Sequence, residues 1–187
     1  PEAEREPHRL MTTASADAPL KGLAVLLRAI ASLRSSYPGI RLTLVGRPKP
    51  GGDADKLIAS LGLGDVVESF KGITHEEMVQ KYASASVAVV PSNYEGFGLP
   101  AVEAMACGVP LVSTDGGALA EVVEDAGLVV PAGDSEALAA AIRQLFEDDQ
   151  LRDEYASRGL LRAEQHFCWN RCAERMEAYY RERIAAC

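Results

Sequence analysis

The chain has 187 residues, 48% hydrophobic and 25% charged, with a net charge of -8. That is enough for one domain with a real core, and it excludes nucleic acid or an anionic membrane surface as the main partner, since both need clustered positive charge. No apolar stretch approaches the roughly 20 residues of a membrane span, no signal peptide is visible, and the start at Pro1 without a methionine suggests a fragment or a processed chain.

Residues 1–8 are polar, carry two prolines and read as linker, which leaves 9–187 as a single domain. Residues 9–13 read as a short strand. Residues 20–36 form an amphipathic helix with Leu23, Leu26, Leu27, Ile30 and Leu33 on one face, ended by Tyr37-Pro38-Gly39. A β-branched strand follows at 40–45, a helix at 53–61 closed by Gly62, a strand at 66–70, and a helix at 74–85 with Thr74 and Glu77 as a capping box. The apolar run 86–90 is a buried strand, and a helix begins at Pro100 and stops at Gly108. A strand at 111–113, a short helix at 119–124, a strand at 128–130 and helices at 134–147, 150–165 and 170–184 complete the chain. Strand alternates with helix six times, and the strands are continuous apolar runs, the signature of a parallel sheet covered on both faces. The expected fold class is α/β: a Rossmann-like doubly wound parallel sheet of about six strands with C-terminal helices. Ligands of such folds bind beyond the carboxyl ends of the strands.

Cys168 and Cys172 have helical i, i+4 spacing, with His166 as the nearest candidate ligand and no second pair. Together with Cys107 and Cys187 they read as small reduced thiols, no metal site is assigned, and the expected location is the cytoplasm. Asp53-Ala54-Asp55 spells a metal-binding pattern but sits at a helix start, where carboxylates favour the helix dipole. There is no G-x-G-x-x-G after the first strand and no G-K-[ST], which disfavours a dinucleotide oxidoreductase and a P-loop NTPase.

The stretch 91–110, PSNYEGFGLPAVEAMACGVP, carries the most information. Proline suits the first helical position and glycine the position just past the end. The Ser-, Asn- and Gly-rich turn before the helix aims backbone N–H groups and a helix N-terminus beyond the strand, an arrangement that attracts phosphate. Two carboxylates flank it, Glu95 in the loop and Glu103 one turn into the helix; beside a phosphate site they are expected to face hydroxyl groups.

These residues closely resemble the sugar-nucleotide motif of the retaining glycosyltransferases with the GT-B fold, glycosyltransferase family 4 and its relatives. The family pattern is two glutamates with seven residues between them inside EGFGLPxxEAMACGxP. The spacing alone says nothing; the whole block is specific. The resemblance spans about residues 9–185 and implies one half of a GT-B fold, the C-terminal donor-binding domain without its N-terminal acceptor-binding domain. The implied reaction moves a sugar from a nucleoside diphosphate sugar to an acceptor hydroxyl with retention of configuration, using no cofactor and no metal. The implied partners are the nucleoside diphosphate sugar and the N-terminal acceptor-binding domain of the same polypeptide; membrane contact through this domain is not expected, and the fragment alone is expected to be inactive.

Carried over residue by residue, the resemblance makes Lys21 and Glu95 catalytic. Lys21, in Leu20-Lys21-Gly22, contacts the donor phosphate, and Glu95 holds the transferred sugar or stabilises its positive charge. Donor binding falls to Glu103 on the ribose, to Phe97 and Gly98 through their backbone on sugar hydroxyls, and to the Gly98 and Leu99 N–H groups on the diphosphate. Gly72, in Phe70-Lys71-Gly72-Ile73, belongs to the loop beside the base; Phe70 reads equally as plain core. The family's arginine about five residues before the lysine is missing, the stretch being Ala14-Ser15-Ala16-Asp17, and Arg47 is the stand-in by strand-end position or else an exposed turn residue. Gly116-Gly117 with Glu121 resembles the family's GG-x-x-E, with three residues here in place of two before the glutamate; the resemblance implies glycines that allow close backbone approach to a ligand, or else a plain turn. Trp169, Tyr179 and Tyr180 read as core or as contacts to the other domain. Two rivals stand beside this reading: a GT-B epimerase of nucleotide sugars, and a non-catalytic nucleotide-binding module.

Overall fold

The structure, a computed structural model, describes residues 4–14 and 18–185. Six apolar runs become strands: β1 Glu6–Thr13, β2 Arg41–Val45, β3 Val67–Phe70, β4 Ala85–Val90, β5 Leu111–Thr114 and β6 Leu128–Val130. All pair in parallel, in the order β3-β2-β1-β4-β5-β6. The helices are α1 Leu23–Leu33, α2 Asp53–Ser60, α3 His75–Ser84, α4 Leu99–Ala106, α5 Leu119–Val123, α6 Ser135–Glu147, α7 Asp149–Arg162 and α8 Trp169–Ala185. This is the doubly wound Rossmann-like sheet expected.

Alternating side chains along the strands serve two cores. Leu10, Leu42, Leu44, Val87, Val89 and Val112 pack with α1, α2 and α6; Met11, Ala88, Val90 and Leu111 pack with α3, α4, α5 and Ala163. Every residue of β4, the central strand, is buried, as a strand covered on both faces must be. Side chains set several helix starts: the Thr74 and Glu77 capping box on α3, Asp134 on α6 and Asp148 on α7.

Four differences from the sequence reading bear on the site, beside shifts of one to three residues at other element ends. The strand expected from Arg9 begins at Glu6, so residues 6–8 are not linker; residues 1–3 lie outside the described residues. Pro7 cannot donate to the ladder, and the pairing with β4 shifts register between Glu6 and Leu10, which hides the strand's start. The helix expected from residue 20 is instead a 3-10 turn, Pro19–Lys21, and then α1, because Gly22 takes a left-handed backbone between them. The central helix begins at Leu99, not Pro100. The helix expected to end at 165 narrows to α7 and a π-helical turn, Ala163–Phe167, which carries Phe167 toward the loop before α4.

Strand order places the site. From β1 the chain steps outward to β2 and β3, then returns to the other side of β1 to lay down β4. The carboxyl ends of β1 and β4 are therefore the point where the winding reverses, the place such sheets bind ligands. No helix among the described residues is long and apolar enough to cross a membrane.

Candidate functional site

Three loops meet at that point, those after β1, β4 and β5. Gly22 (φ +65°) lies so close to Pro91 that an added Cβ would sit 1.7 Å from the Pro91 carbonyl oxygen. Asn93 ties the same two loops, its backbone N–H donating to Leu20 O at 2.8 Å and its side-chain amide to Pro19 O at 3.2 Å. On the other side, Glu95 N–H donates to Gly116 O at 3.2 Å and Ala118 N–H donates to Glu95 O at 2.9 Å. A Cβ on Gly116 would sit 2.5 Å from Ser92 O, and one on Gly117 2.3 Å from Glu95 O. The glycine pair makes room for the backbone of the β4 loop.

The locked loops bring Lys21 and Glu95 together. Lys21 Nζ donates to Glu95 Oε1 at 2.6 Å. Ser92, buried, donates its hydroxyl to the same oxygen at 2.8 Å, and the Thr114 hydroxyl donates to the Ser92 carbonyl. The Glu95 side chain is 10% exposed and that of Lys21 32%, so the ammonium faces outward over a carboxylate set into the loop. Among the described residues Glu95 Oε2 has no hydrogen-bond partner, and the ammonium keeps two N–H groups beyond the one given to Glu95. Ser92 was missed in the sequence, where it is one polar residue in a turn.

Beyond Glu95 the chain rises into α4. Gly98 caps the helix and Pro100 sits in its first turn. Among the described residues the Gly98 and Leu99 N–H groups take no acceptor, so they point out with the helix dipole behind them. Glu103 follows on the exposed side of α4, and its Oε2 accepts the hydroxyl of Tyr82 at 3.2 Å. Burial, and then the nearby Glu103 charge, push the Tyr82 phenol far above its ordinary pKa, so it stays a donor.

The remaining candidates sit around this centre. Phe97 is 49% exposed and meets Phe167 edge-on, ring centroids 5.9 Å apart. Beside them lies a cavity of about 360 Å³ lined by Gly96, Phe97, Glu121, Arg162, His166 and Arg175, among others. Arg162 closes its α5 side, donating to the Glu121 and Val122 carbonyls and to the Glu124 carboxylate at 2.6–2.8 Å. Gly72 follows β3 in an exposed loop. Phe70 before it is half-buried rather than plain core, with Lys81 Nζ 3.9 Å from its ring centroid. Arg47 follows β2, is exposed, and lines a cavity of about 320 Å³ with Asp55, Ile58 and Ser69 of α2 and β3. Ser15, Ala16 and Asp17, where the family's arginine would fall, lie outside the described residues, as does Cys187. Cys168 and Cys172 are free and exposed, and Asp53 and Asp55 lie in the first turn of α2, with Asp55 accepting the Gly51 N–H at 2.8 Å. Trp169, Tyr179 and Tyr180 are not core: α8 buries none of its residues.

Residues 1–162 match the family described as glycosyl transferases group 1. The chain belongs to that family. Over all of this chain it is 43% identical to the MMP alpha-(1->4)-mannosyltransferase of Mycolicibacterium hassiacum, covering 47% of that protein. Among solved structures, the sucrose-phosphate synthase of Thermosynechococcus elongatus superposes with a TM-score of 0.81 at 34% identity, over 97% of this chain and 46% of that one. The HepE protein of Anabaena in complex with UDP superposes with a TM-score of 0.79 at 27% identity, over 92% of this chain and 49% of that one. This group 1 chain therefore spans about half the length of the relatives it matches.

Proposed function

We propose that this group 1 chain is the donor-binding half of a retaining glycosyltransferase, which moves a sugar from a nucleoside diphosphate sugar to an acceptor hydroxyl. One observation carries the reading: the Lys21–Glu95 pair stands where the winding reverses, next to the free N–H groups at the start of α4. The UDP held by the HepE relative supports it.

The chemistry follows the leaving group. Breaking the glycosidic bond places charge on the diphosphate and leaves an oxocarbenium-like sugar. Preorganised donors aimed at the developing charge stabilise it most; here these are the two free Lys21 N–H groups and the Gly98 and Leu99 N–H groups. Glu95 takes the sugar through its open Oε2, either accepting a hydroxyl or facing the positive ring, while Oε1 stays fixed by Lys21 and Ser92. Glu103 takes the ribose. A lysine and a helix end supply the electrostatic role a divalent metal plays elsewhere, so the reaction needs no metal and no cofactor. The acceptor comes from an N-terminal half of the same polypeptide, and the exposed Trp169, Met176, Tyr179, Tyr180 and Ile184 of α8 dock against that half. The protein works in the cytoplasm.

A thermal-shift screen of this chain with UDP-, GDP- and ADP-sugars tests the reading. One donor class should raise the melting temperature without any sugar transfer to simple acceptors. No shift with any of them would overturn donor binding, and robust transfer by this chain alone would overturn the division into halves.

A further inference from the structure

We propose that Tyr82 is a positioning residue for nucleotide recognition: from the end of α3 its hydroxyl holds one oxygen of Glu103 and leaves the other turned out for the ribose hydroxyls. The proposal rests on reading Glu103 as the ribose ligand.

Tyr82 is 3% exposed and sits in the second core with Met11, Ala101, Ala104 and Met105. Its ring is structural, and its hydroxyl meets the side chain of the exposed Glu103. It lies 3.2 Å from Glu103 Oε2 and 3.4 Å from the Pro100 carbonyl oxygen. A phenol has one proton to give, and a carboxylate is the stronger acceptor. Among the described residues no lysine or arginine pairs with Glu103, and Tyr82 is its one hydrogen-bond donor. A glutamate on an exposed helix face would otherwise sample several rotamers. Held by a donor rooted in the core, it offers Oε1 in a fixed place. Fixing a binding group beforehand removes an ordering cost that binding would otherwise carry.

The test is Tyr82→Phe, which keeps the ring and removes only the hydroxyl. Its binding is measured by calorimetry with whichever of UDP, GDP and ADP raises the melting temperature of this chain most, and with the 2′,3′-dideoxy analogue of that nucleotide. The ribonucleotide should bind about 5- to 20-fold more weakly than to the parent chain, and the dideoxy analogue should bind unchanged. Equal weakening of both ligands, or of neither, overturns the proposal, since a merely structural role does not distinguish them. Should Tyr82→Phe not fold by circular dichroism, Tyr82→Met fills the same space and is held to the same pattern. Glu103→Ala runs alongside. If it fails to discriminate the two ligands, the ribose reading of Glu103 falls and takes the proposal with it. If it discriminates and Tyr82→Phe does not, the role of Tyr82 alone falls.

Discussion

Lys21 Nζ lies 2.6 Å from Glu95 Oε1, so the cation proposed for the diphosphate and the carboxylate proposed for the sugar are partners within the chain itself. The pair joins positions 74 residues apart across the seam between β1 and β4.

Lys21→Met leaves the Glu95 carboxylate, nine-tenths buried, with Ser92 as its one remaining side-chain donor. Losing a charged partner at such a group should lower the unfolding free energy by about 1–3 kcal/mol, read from urea titrations. The nucleoside diphosphate should bind at least about tenfold more weakly, about 1.4 kcal/mol. Unaltered binding would remove Lys21 from the diphosphate site.

Glu95→Gln separates the two carboxylates. Bare nucleoside diphosphate should bind within about threefold of normal, roughly 0.7 kcal/mol, because the ammonium is freed rather than lost. Glu103→Ala should weaken the same ligand by about 1.5–3 kcal/mol, the range for hydrogen bonds to a charged group. Sugar transfer by the longer protein should fall steeply with Glu95→Gln. Equal weakening of the bare nucleotide by both variants would contradict this division.

Gly22→Ala and Gly72→Ala share a left-handed backbone, at φ +65° and +69°, but differ in surroundings. The Gly72 Cβ meets nothing within 4 Å, so only the backbone preference is lost, about 1–2 kcal/mol. The Gly22 Cβ collides with the Pro91 carbonyl, adding an overpacking cost of about 1–3 kcal/mol. Chemical denaturation should therefore rank Gly22→Ala as clearly the less stable.

Glu68 on β3 accepts from Arg9 at 2.8 Å, the guanidinium reaching across β2, where it also meets Thr43 at 3.0 Å. That hydrogen bond holds the Glu68 carboxyl below its ordinary pKa. A carboxyl with a lower pKa in the folded state stabilises fully above the ordinary carboxylate range, and the contribution drains away as pH falls through that range and below. Glu68→Gln should lower stability by no more than about 1 kcal/mol at pH 7, since the side chain is 42% exposed. The gap between variant and parent should narrow as pH falls through and below the ordinary carboxylate range; a gap that widens on acidification would reverse the sign.

Donor binding should survive EDTA and gain less than tenfold, about 1.4 kcal/mol, from Mg2+ or Mn2+. Calorimetric titration in chelator and then in metal is the check. A larger gain would assign a metal role to carboxylates at this site.

The layers were legible because each rests on local pattern: continuous apolar runs for buried strands, the Leu23 to Leu33 stripe for α1, and Thr74 with Glu77 for the start of α3. The 91–110 block announced both carboxylates. What stayed hidden depends on strand order, which no local window contains. Residue spacing gives no sign that Lys21 touches Glu95, that Gly116 and Gly117 press on the β4 loop, or that Tyr82 reaches Glu103 from a different helix. Ser92 and Tyr82 each look ordinary in sequence, a turn serine and a helix aromatic; only their tertiary neighbours give them work. The start of β1 was missed because Pro7 and the register shift after Glu6 break the apolar pattern by which the strand is read.

The interlocked glycines bear on how this fold can be altered. Because the segments around 19–22, 91–98 and 115–118 are fitted backbone to backbone, none is an independent insert. A graft of the 91–98 segment from a relative with another donor preference would arrive without the neighbours its backbone is fitted against. Donor preference should therefore move between members of this lineage as three segments together, or through substitutions of outward-facing side chains such as Phe97 and Leu99, which leave the backbone fit untouched.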